Sequence, residues 1–320
     1  MTAHTIVMDV DTGTDDALAL LYAVQHPDIT VAGISCVAGN ASVEQVVANT
    51  HKTLDAAGAP DIPVAAGAVK PLIERAQQEE HFHGVDGLAG IVLPATRRAA
   101  STLTAVELLR QQIVGAQGKV TLVALAPQTN VAMLLTLHPE VADHLERILF
   151  MGGSAGTGNI TAVAEFNVWQ DPEAATCVLE SGIPVTMYGL DVFNRLVVDE
   201  GHAHRYAASE HPAQRLAGEL LLRRGARADG RSDQAYVGAI GDAGALVYLT
   251  HPELFSTASH PVRVNLAGLG RGQTIVDRRP IAQDAEALGR DPWRTIEVVL
   301  DLDPARAARA FTDVVDAYAA

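Results

Sequence analysis

The chain has 320 residues, of which 48% are hydrophobic and 19% are charged. That supply of apolar side chains is sufficient for a buried core and argues against an intrinsically disordered chain. The 38 acidic residues outnumber the 23 basic ones and give a formal net charge of −15, which disfavours nucleic acid and anionic membranes as partners. Arginines and aspartates are interleaved in one segment, which comprises Arg223, Arg224, Arg227, Asp229, Arg231 and Asp233. We interpret that segment as a solvated helix end or loop.

The cysteine content and the hydropathy of the chain indicate its cellular compartment. Cys36 and Cys177 lie in apolar stretches without zinc-ligand spacing, and two thiols do not make a disulfide framework. The first ten residues lack the basic and apolar regions of a leader peptide, and no apolar run reaches the roughly 20 residues of a membrane span. We therefore expect a soluble, cytoplasmic protein.

Short apolar strands alternate with amphipathic helices along the first 190 residues. Strands are predicted, in chain order, at 5–8, 29–36, 62–66, 120–125, 148–151 and 185–188. Helices are predicted between them at 16–25, 42–57, 103–114, 130–137 and 172–179. This alternation argues for a parallel sheet with helices on both faces.

The C-terminal part follows a different pattern. Strands are predicted at 261–266, 273–277 and 295–300 with no helix between them, and a last helix is predicted at 304–318. We interpret these strands as an antiparallel extension of the same sheet. The predicted fold is a single α/β domain over residues 1–320, with a doubly wound, mostly parallel sheet. Such sheets bind ligands beyond the carboxyl ends of their strands.

Four aspartates follow the first strand within eight residues: Asp9, Asp11, Asp15 and Asp16. Helix capping explains one or two of them, because negative charge is favoured at a helix N-terminus. It does not explain four, since like charges this close repel one another unless something neutralises them. Oxygen ligands suit Ca²⁺ or Mg²⁺, and we therefore predict a metal site.

Two other kinds of acidic motif are compared with this segment. An EF-hand loop that began at Asp9 would need Gly and Glu where Thr14 and Leu20 stand, so that interpretation fails. A haloacid-dehalogenase-like phosphatase would be phosphorylated on Asp9, but its motif wants Thr or Val at Gly13. Its late pair of aspartates is represented by Asp242 alone. The phosphatase remains the weaker alternative.

A series of motifs resembles the inosine–uridine-preferring nucleoside hydrolase family, in the same order along the chain. The segment DVDTGTDDALAL at 9–20 resembles the family's N-terminal D-x-D-x-G-x-D-D-A. The further matches are VAGN at 37–40, HGVDGL at 83–88, APQTN at 126–130, MGG at 151–153, GN at 158–159, AEFN at 164–167, DPEAA at 171–175 and RGQT at 271–274 with Asp277. Together they cover most of the chain.

The resemblance implies a role for each matched residue. A Ca²⁺ ion would be held by Asp11, Asp16, the Thr129 backbone carbonyl and Asp242, with Asp9 supporting these ligands from behind. The ion would activate the attacking water, and Asp11 would take its proton as general base. The ribose would be bound by Asp15, Asn40, Asn159, Glu165 and Asn167. Glu165 would also stabilise the positive charge that develops on the sugar ring.

The resemblance breaks at Gly241, where many family members have a histidine that protonates the leaving base. His83 matches a histidine that lies near the base in pyrimidine-preferring relatives, and we assign it as the catalytic candidate. Several other side chains are alternatives to His83 as acid, namely His81, Asp229, Asp233 and Tyr236, and Trp169 is an alternative that would stack on the base. Phe193 and Asn194 replace a more typical polar pair, which predicts an altered base pocket.

The predicted activity is Ca²⁺-dependent hydrolysis of the N-glycosidic bond of purine or pyrimidine ribonucleosides. A non-catalytic homologue that binds nucleosides or ribose is the alternative from a different class. Nucleotides are disfavoured, because the chain has no G-x-x-x-x-G-K-[ST] loop. The resemblance implies a small-molecule ribonucleoside as partner and a homodimer or homotetramer, with no nucleic acid and no membrane.

Overall fold

The structure of the chain is a computed structural model, which describes residues 3–75, 84, 86–226, 238–279 and 293–319. His81 and His83 lie outside the described residues, as do Asp229, Asp233 and Tyr236. No helix of the described ranges is both long enough and apolar enough to cross a membrane.

Nine strands form one sheet and two short strands form a second. The strands are β1 (His4–Val10), β2 (Ile29–Cys36), β3 (Val64–Ala66), β4 (Val120–Ala124), β5 (Leu145–Met151), β6 (Val185–Tyr188), β7 (Val197–Val198), β8 (Gly238–Ala239), β9 (Phe255–Val264), β10 (Thr274–Val276) and β11 (Arg294–Leu302). The large sheet has the order β10-β9-β11-β6-β5-β4-β1-β2-β3, and β7 pairs with β8. All neighbours from β11 to β3 pair in parallel, while β9 is antiparallel to β11 and β10.

Helices pack on both faces of this sheet. They are α1 (Thr14–Gln25), α2 (Val43–Ala56), α3 (Ala105–Gly115), α4 (Thr129–Leu137), α5 (Phe166–Gln170), α6 (Pro172–Leu179), α7 (Leu190–Phe193), α8 (Glu200–Ala207), α9 (Pro212–Ala226), α10 (Ala243–Thr250) and α11 (Pro304–Asp316). The alternation of side chains in β1 divides the core, since Ile6 and Met8 pack with α1 and α2 whereas Val7 packs with α3 and α4. The α/β class and the antiparallel C-terminal extension are thereby confirmed, and the single domain over 1–320 stays a prediction.

The strand β1 is the point at which the order of the sheet reverses. The chain passes from β1 to β2 and β3 on one side, and then returns to β4 on the other side. In parallel sheets the loops diverge at such a switch point and leave a crevice beyond the carboxyl ends of the strands. The acidic segment that follows β1 lies at that crevice.

Three local predictions are corrected by the structure. The strand predicted at 261–266 begins at Phe255, because β11 is long enough to pair Leu302 with Phe255. The segment around Arg223 and Arg224 was predicted to be solvated, but Arg224 is largely buried against Asp15. The helix α9, which carries both arginines, was predicted only as a possible helix end and extends over fifteen residues.

Candidate metal and substrate site

Asp11 is fixed at the end of β1 by Asn40, which follows β2. The Asn40 backbone N–H donates to Asp11 Oδ2 at 2.8 Å, and its side-chain Nδ2 donates to Asp11 Oδ1 at 3.0 Å. Gly39 makes this approach possible, since a Cβ on Gly39 would lie 2.0 Å from Asp11 Oδ2. Both oxygens of Asp11 are therefore oriented by a single asparagine.

Asp15, Asp16 and Asp242 bring three carboxylates together. One oxygen from each lies within 4.8 Å of the others, and all three residues are buried. Asp16 is held by the turn that precedes α1, because Gly13 N–H donates to its Oδ2 at 2.9 Å and Asp11 N–H to its Oδ1 at 3.3 Å. Asp242 comes from the start of α10, more than 200 residues away in the sequence.

Burial raises the pKa of the carboxyl groups in this region. Desolvation raises the pKa of Asp16 to about 7, and the neighbouring charge of Asp15 adds to the shift. Desolvation also raises the pKa of Asp11 and of Asp242 well above the usual range of an aspartate, with repulsion from nearby carboxylates as the next cause. The protein alone therefore disfavours the fully ionised cluster, and a bound cation would reverse that preference.

Asp9 lies behind the cluster and is completely buried. Its Oδ1 accepts hydrogen bonds from the Ser35 hydroxyl and from Asn130 Nδ2, the latter at 2.8 Å. Its Oδ2 has no hydrogen-bond partner among the residues that the structure describes. Desolvation raises the pKa of Asp9 to about 7. The supporting role of Asp9 stays a prediction.

The loop after β5 and the start of α5 carry the predicted sugar-binding residues. Glu165 caps α5 and accepts hydrogen bonds from the backbone N–H groups of Asn167, Val168 and Gly153 at 2.8–3.1 Å. Burial raises the pKa of Glu165 to about 7, although these hydrogen bonds act to lower it. The Asn167 amide nitrogen donates to the carbonyls of Leu125 and Met151, so the end of β4 and the end of β5 are tied together at this residue.

Asn159 differs from these buried residues in its exposure to solvent. Asn159 is exposed, and its Oδ1 accepts a hydrogen bond from Phe166 N–H at 2.9 Å. Trp169 is half-buried, with its ring 6.3 Å from that of Phe166. Its backbone packs against Gly272, where a Cβ would approach the Trp169 Cα to 2.6 Å. These contacts favour a structural role for Trp169 over the stacking role considered from the sequence.

The loop after β4 contributes two residues with different surroundings. The Thr129 hydroxyl donates to Asp171 Oδ2 at 2.6 Å, and Asp171 also caps α6, so the predicted ligand Thr129 is held firmly at the start of α4. Gln128 is buried, and neither of its amide atoms has a hydrogen-bond partner in the described ranges. Sequence reasoning gave Gln128 no role.

Arg224 is the other site residue that the sequence interpretation missed. Its Nη1 lies 3.0 Å from Asp15 Oδ2 and donates to Thr14 Oγ1 at 3.1 Å. The pattern of arginines in α9 gave no signal for this contact, because Thr14 is 210 positions away along the chain and Asp15 follows it directly. Gly241 lies next to the pair in the left-handed region, with φ of +59°.

These residues fit a hard divalent cation. The cluster offers oxygen ligands, the carboxylates are buried without an equal number of basic partners among the described residues, and Asp9 keeps an unpartnered buried oxygen beside them. Ions of the Ca²⁺ and Mg²⁺ type prefer such donors, whereas the thiolate and imidazole ligands of zinc are absent from the described cluster.

Comparison with known proteins gives a consistent set of relatives. The family model described as inosine-uridine preferring nucleoside hydrolase matches residues 6–309. The pyrimidine-specific ribonucleoside hydrolases RihA of Escherichia coli O81 (strain ED1a) and of Salmonella agona (strain SL483) are each 40% identical to this chain over 279 residues. The match covers 86% of this chain and 89% of each relative.

Solved structures share the fold along the whole length. The purine-preferring ribonucleoside hydrolase from Gardnerella vaginalis is 27% identical with a TM-score of 0.88, and an inosine-guanosine nucleoside hydrolase is 29% identical with a TM-score of 0.87. Each similarity covers 98% of this chain and 99% of the other. The overall fold of this chain is thus shared with these nucleoside hydrolases.

Proposed function

The chain belongs to the inosine-uridine preferring nucleoside hydrolase family, and from this premise we propose that it cleaves pyrimidine ribonucleosides in a calcium-dependent reaction. Ribonucleoside hydrolysis, an N-glycosidase activity on small-molecule nucleosides, follows from the family itself and replaces the phosphatase alternative. The observation that carries the calcium part is the buried group of Asp15, Asp16 and Asp242 beside the oriented carboxylate of Asp11.

Pyrimidine preference rests on the most similar of the named relatives. The RihA proteins, named as pyrimidine-specific, share 40% of their residues with this chain, whereas the purine-preferring and inosine-guanosine enzymes share 27% and 29%. The fold alone does not establish which base is preferred. Pyrimidine preference is therefore tested by the relative rates at which the different nucleosides are hydrolysed.

Asp11 is proposed as the general base. Asn40 fixes both of its oxygens, so the carboxylate is preorganised to accept a proton from a water placed beside it. The proposed ligands of the ion are Asp11, Asp16, the Thr129 carbonyl and Asp242. When bound there, Ca²⁺ would lower the pKa of the attacking water and help to hold the ribose hydroxyls.

The sugar is proposed to lie between the cluster and α5. Asp15 and Asn40 would contact it from the cluster, while Asn159, Glu165 and Asn167 would contact it from the loop after β5. Asn167 would use its Oδ1 for this, because its amide nitrogen is engaged by backbone carbonyls. The Glu165 carboxylate, when ionised, would stabilise the positive charge of the oxocarbenium-like transition state.

Departure of the base requires a proton or another stabilising charge. Gly241 supplies neither, and His83 remains the proposed acid, in a part of the chain outside the described residues. General acid assistance is worth about 10²–10⁴-fold in rate. A nucleoside whose base leaves easily is therefore the better substrate if His83 does not act. The cytoplasmic location and the homo-oligomer stay predictions.

The test is release of ribose from a panel of purine and pyrimidine nucleosides, with p-nitrophenyl riboside as an activated control. Each substrate is assayed with Ca²⁺ and after removal of the ion by a chelator. We expect chelator-sensitive turnover with uridine and cytidine ahead of inosine. The His83→Ala variant should lose uridine turnover and keep cleavage of p-nitrophenyl riboside, whose leaving group needs little protonation.

The outcomes separate the parts of this proposal. Turnover that is unaffected by the chelator would exclude the calcium ion. A preference for inosine would refute the pyrimidine assignment while leaving the hydrolase intact. Binding of ribose without cleavage of any substrate, including the activated one, would favour the non-catalytic binder.

A further inference from the structure

Arg224 joins two segments of the candidate site. Its Nη1 contacts Asp15 Oδ2 at 3.0 Å and Thr14 Oγ1 at 3.1 Å, at the start of α1. Its Nε donates to the Ala239 carbonyl at 2.8 Å, on the strand that leads to Asp242. The side chains of Arg224 and Asp15 are only 16% and 10% exposed, so the pair is shielded from water. One guanidinium thus connects both chain segments that supply the carboxylate cluster.

The same guanidinium occupies the space beside Gly241. A Cβ at this position would lie 2.6 Å from the Asp15 Cβ and 3.0 Å from Arg224 Nη2. The backbone of Gly241 is also left-handed, which disfavours any larger residue. The Phe193 ring lies on another side of the guanidinium, 5.9 Å from its Cζ. The Arg224 guanidinium from α9 therefore occupies the space that a side chain at position 241 would need.

The Asp15 carboxylate can interact with a cation or with the sugar. Its carboxylate is close enough to those of Asp16 and Asp242 to join them in holding a cation, yet the proposed function needs it for the sugar. A carboxylate that is free to rotate in a buried site moves towards the strongest nearby positive charge. Arg224 provides a fixed positive charge on the side of Asp15 where its Oδ2 lies.

We infer that Arg224 is a positioning residue that holds the Oδ2 atom of Asp15, so that this carboxylate binds the substrate instead of serving as a further ligand of the metal ion. This inference rests on the proposed function, because it presupposes a cation at the cluster. Its Nη1 contacts Asp15 while its Nε donates to the Ala239 carbonyl, so the guanidinium fixes Asp15 relative to both segments, which a lysine with a single ammonium group does not reproduce. The carboxylates of Asp11, Asp15, Asp16 and Asp242 carry more negative charge than a divalent ion neutralises, and the guanidinium offsets part of that excess.

The experiment compares Arg224→Met and Arg224→Lys with the wild-type protein and with Arg223→Met as matched control. Arg223 is the preceding residue of α9, is exposed, and donates to the Ala89 carbonyl instead of to a carboxylate. Two quantities are measured for each protein: the Kd of Ca²⁺ alone by calorimetry, and KM and kcat for uridine at saturating Ca²⁺.

We expect Arg224→Met to bind Ca²⁺ roughly tenfold more tightly, because a positive charge is removed beside the ion and Asp15 is released towards it. The same variant should show a KM for uridine raised by about tenfold or more, with a smaller change in kcat. Arg224→Lys keeps the charge and should have a Ca²⁺ affinity near that of the wild type, with an intermediate KM. In an Asp15→Asn background, Arg224→Met should have no further effect on KM.

Opposite changes in the two affinities distinguish this role from a structural one. If Arg224→Met weakens Ca²⁺ binding and uridine binding together, or if it behaves like Arg223→Met in both assays, the inference is overturned while the hydrolase proposal stands. If the wild-type protein binds no Ca²⁺ and cleaves no nucleoside, the proposed function fails, and the inference fails with it.

Discussion

At the scale of single residues, Gly39 shows how closely the backbone approaches the Asp11 carboxylate, the proposed general base. The Cβ of an alanine at this position would lie 2.0 Å from Asp11 Oδ2 and 2.9 Å from its Cγ, so the carboxylate must move. That movement breaks the hydrogen bonds from Asn40 that orient Asp11. Misplacement of a catalytic group by about 1 Å costs on the order of 10²-fold in rate. We expect Gly39→Ala to lower kcat by about that factor.

The matched control for this variant is Gly115→Ala. Gly115 ends α3, and an added Cβ there meets no atom within 4 Å. Steady-state assays with uridine and thermal unfolding should show Gly115→Ala at wild-type values. A Gly39→Ala protein with wild-type kcat would show that the Asn40–Asp11 contact has no part in the reaction.

The residues of the site differ in how far the sequence could identify them. Asp11, Asp16 and Asn40 follow neighbouring parallel strands, so their proximity follows from the predicted sheet. Asp242 was assigned only through the resemblance to the family. The contact of Arg224 was not identified at all, because a contact across about 210 residues between two helices leaves no local pattern. A buried ion pair of this kind is visible only once the elements are packed.

At the scale of secondary structure, Asn130 connects the elements around the switch point. From the start of α4, its Nδ2 donates to Asp9 Oδ1 on β1 and to the Cys36 carbonyl on β2, at 2.8 Å and 3.1 Å. Its Oδ1 accepts a hydrogen bond from Ala68 N–H in the loop after β3, at 2.8 Å. Three elements and one loop thus share a single buried amide.

We expect Asn130→Ala to destabilise the protein through these lost contacts. Each buried polar group left without a partner costs about 1–3 kcal/mol, so the free energy of unfolding should fall by several kcal/mol and Tm by roughly 5–10 °C. The control is Gln111→Ala, which removes an exposed hydrogen bond to Glu107 on α3 and should change stability by less than about 0.5 kcal/mol. The Tm of each variant is measured by differential scanning calorimetry. An unchanged Tm for Asn130→Ala would contradict this prediction.

The predicted elements were most accurate where local pattern and tertiary packing agree. The strands Ile29–Cys36 and Val185–Tyr188 and the helix Pro172–Leu179 have the predicted bounds, because apolar runs with clear flanking signals are buried on the sheet. The strand Phe255–Val264 was predicted six residues too short at its start, since four of its first six residues are polar and none of the six is fully buried. Its extension comes from pairing with β11, which is a property of the sheet and not of the segment itself.

At the scale of the whole molecule, buried carboxyl groups link stability to pH and to the cation. Burial raises the pKa values of Asp9, Asp16 and Glu165 to about 7 in the folded protein, from 3.8, 3.8 and 4.5. Between about pH 4 and pH 7, the unfolded chain has therefore released protons that the folded protein retains. The contribution of these groups to the free energy of unfolding decreases as the pH rises through that window and is constant above it.

Buried histidines act in the opposite direction. Desolvation lowers the pKa of His26 and of His51, so their contribution to stability increases as the pH rises towards the ordinary histidine value. These two side chains are not part of the carboxylate cluster, and their contribution is the same with and without the ion. The difference between the metal-free and the Ca²⁺-loaded protein therefore isolates the carboxyl groups.

Because a cation binds the ionised carboxylates, its binding to the folded protein releases the retained protons and is favoured by high pH. We expect the rise in Tm on adding Ca²⁺ to be several degrees larger at pH 8 than at pH 5. The measurement is thermal unfolding of desalted, metal-free protein at pH 5, 6, 7 and 8, with CaCl₂ or with NaCl at equal ionic strength. An equal Ca²⁺-dependent shift at every pH would mean that the ion does not bind at the buried carboxylates, since only groups that titrate in this window couple its affinity to pH.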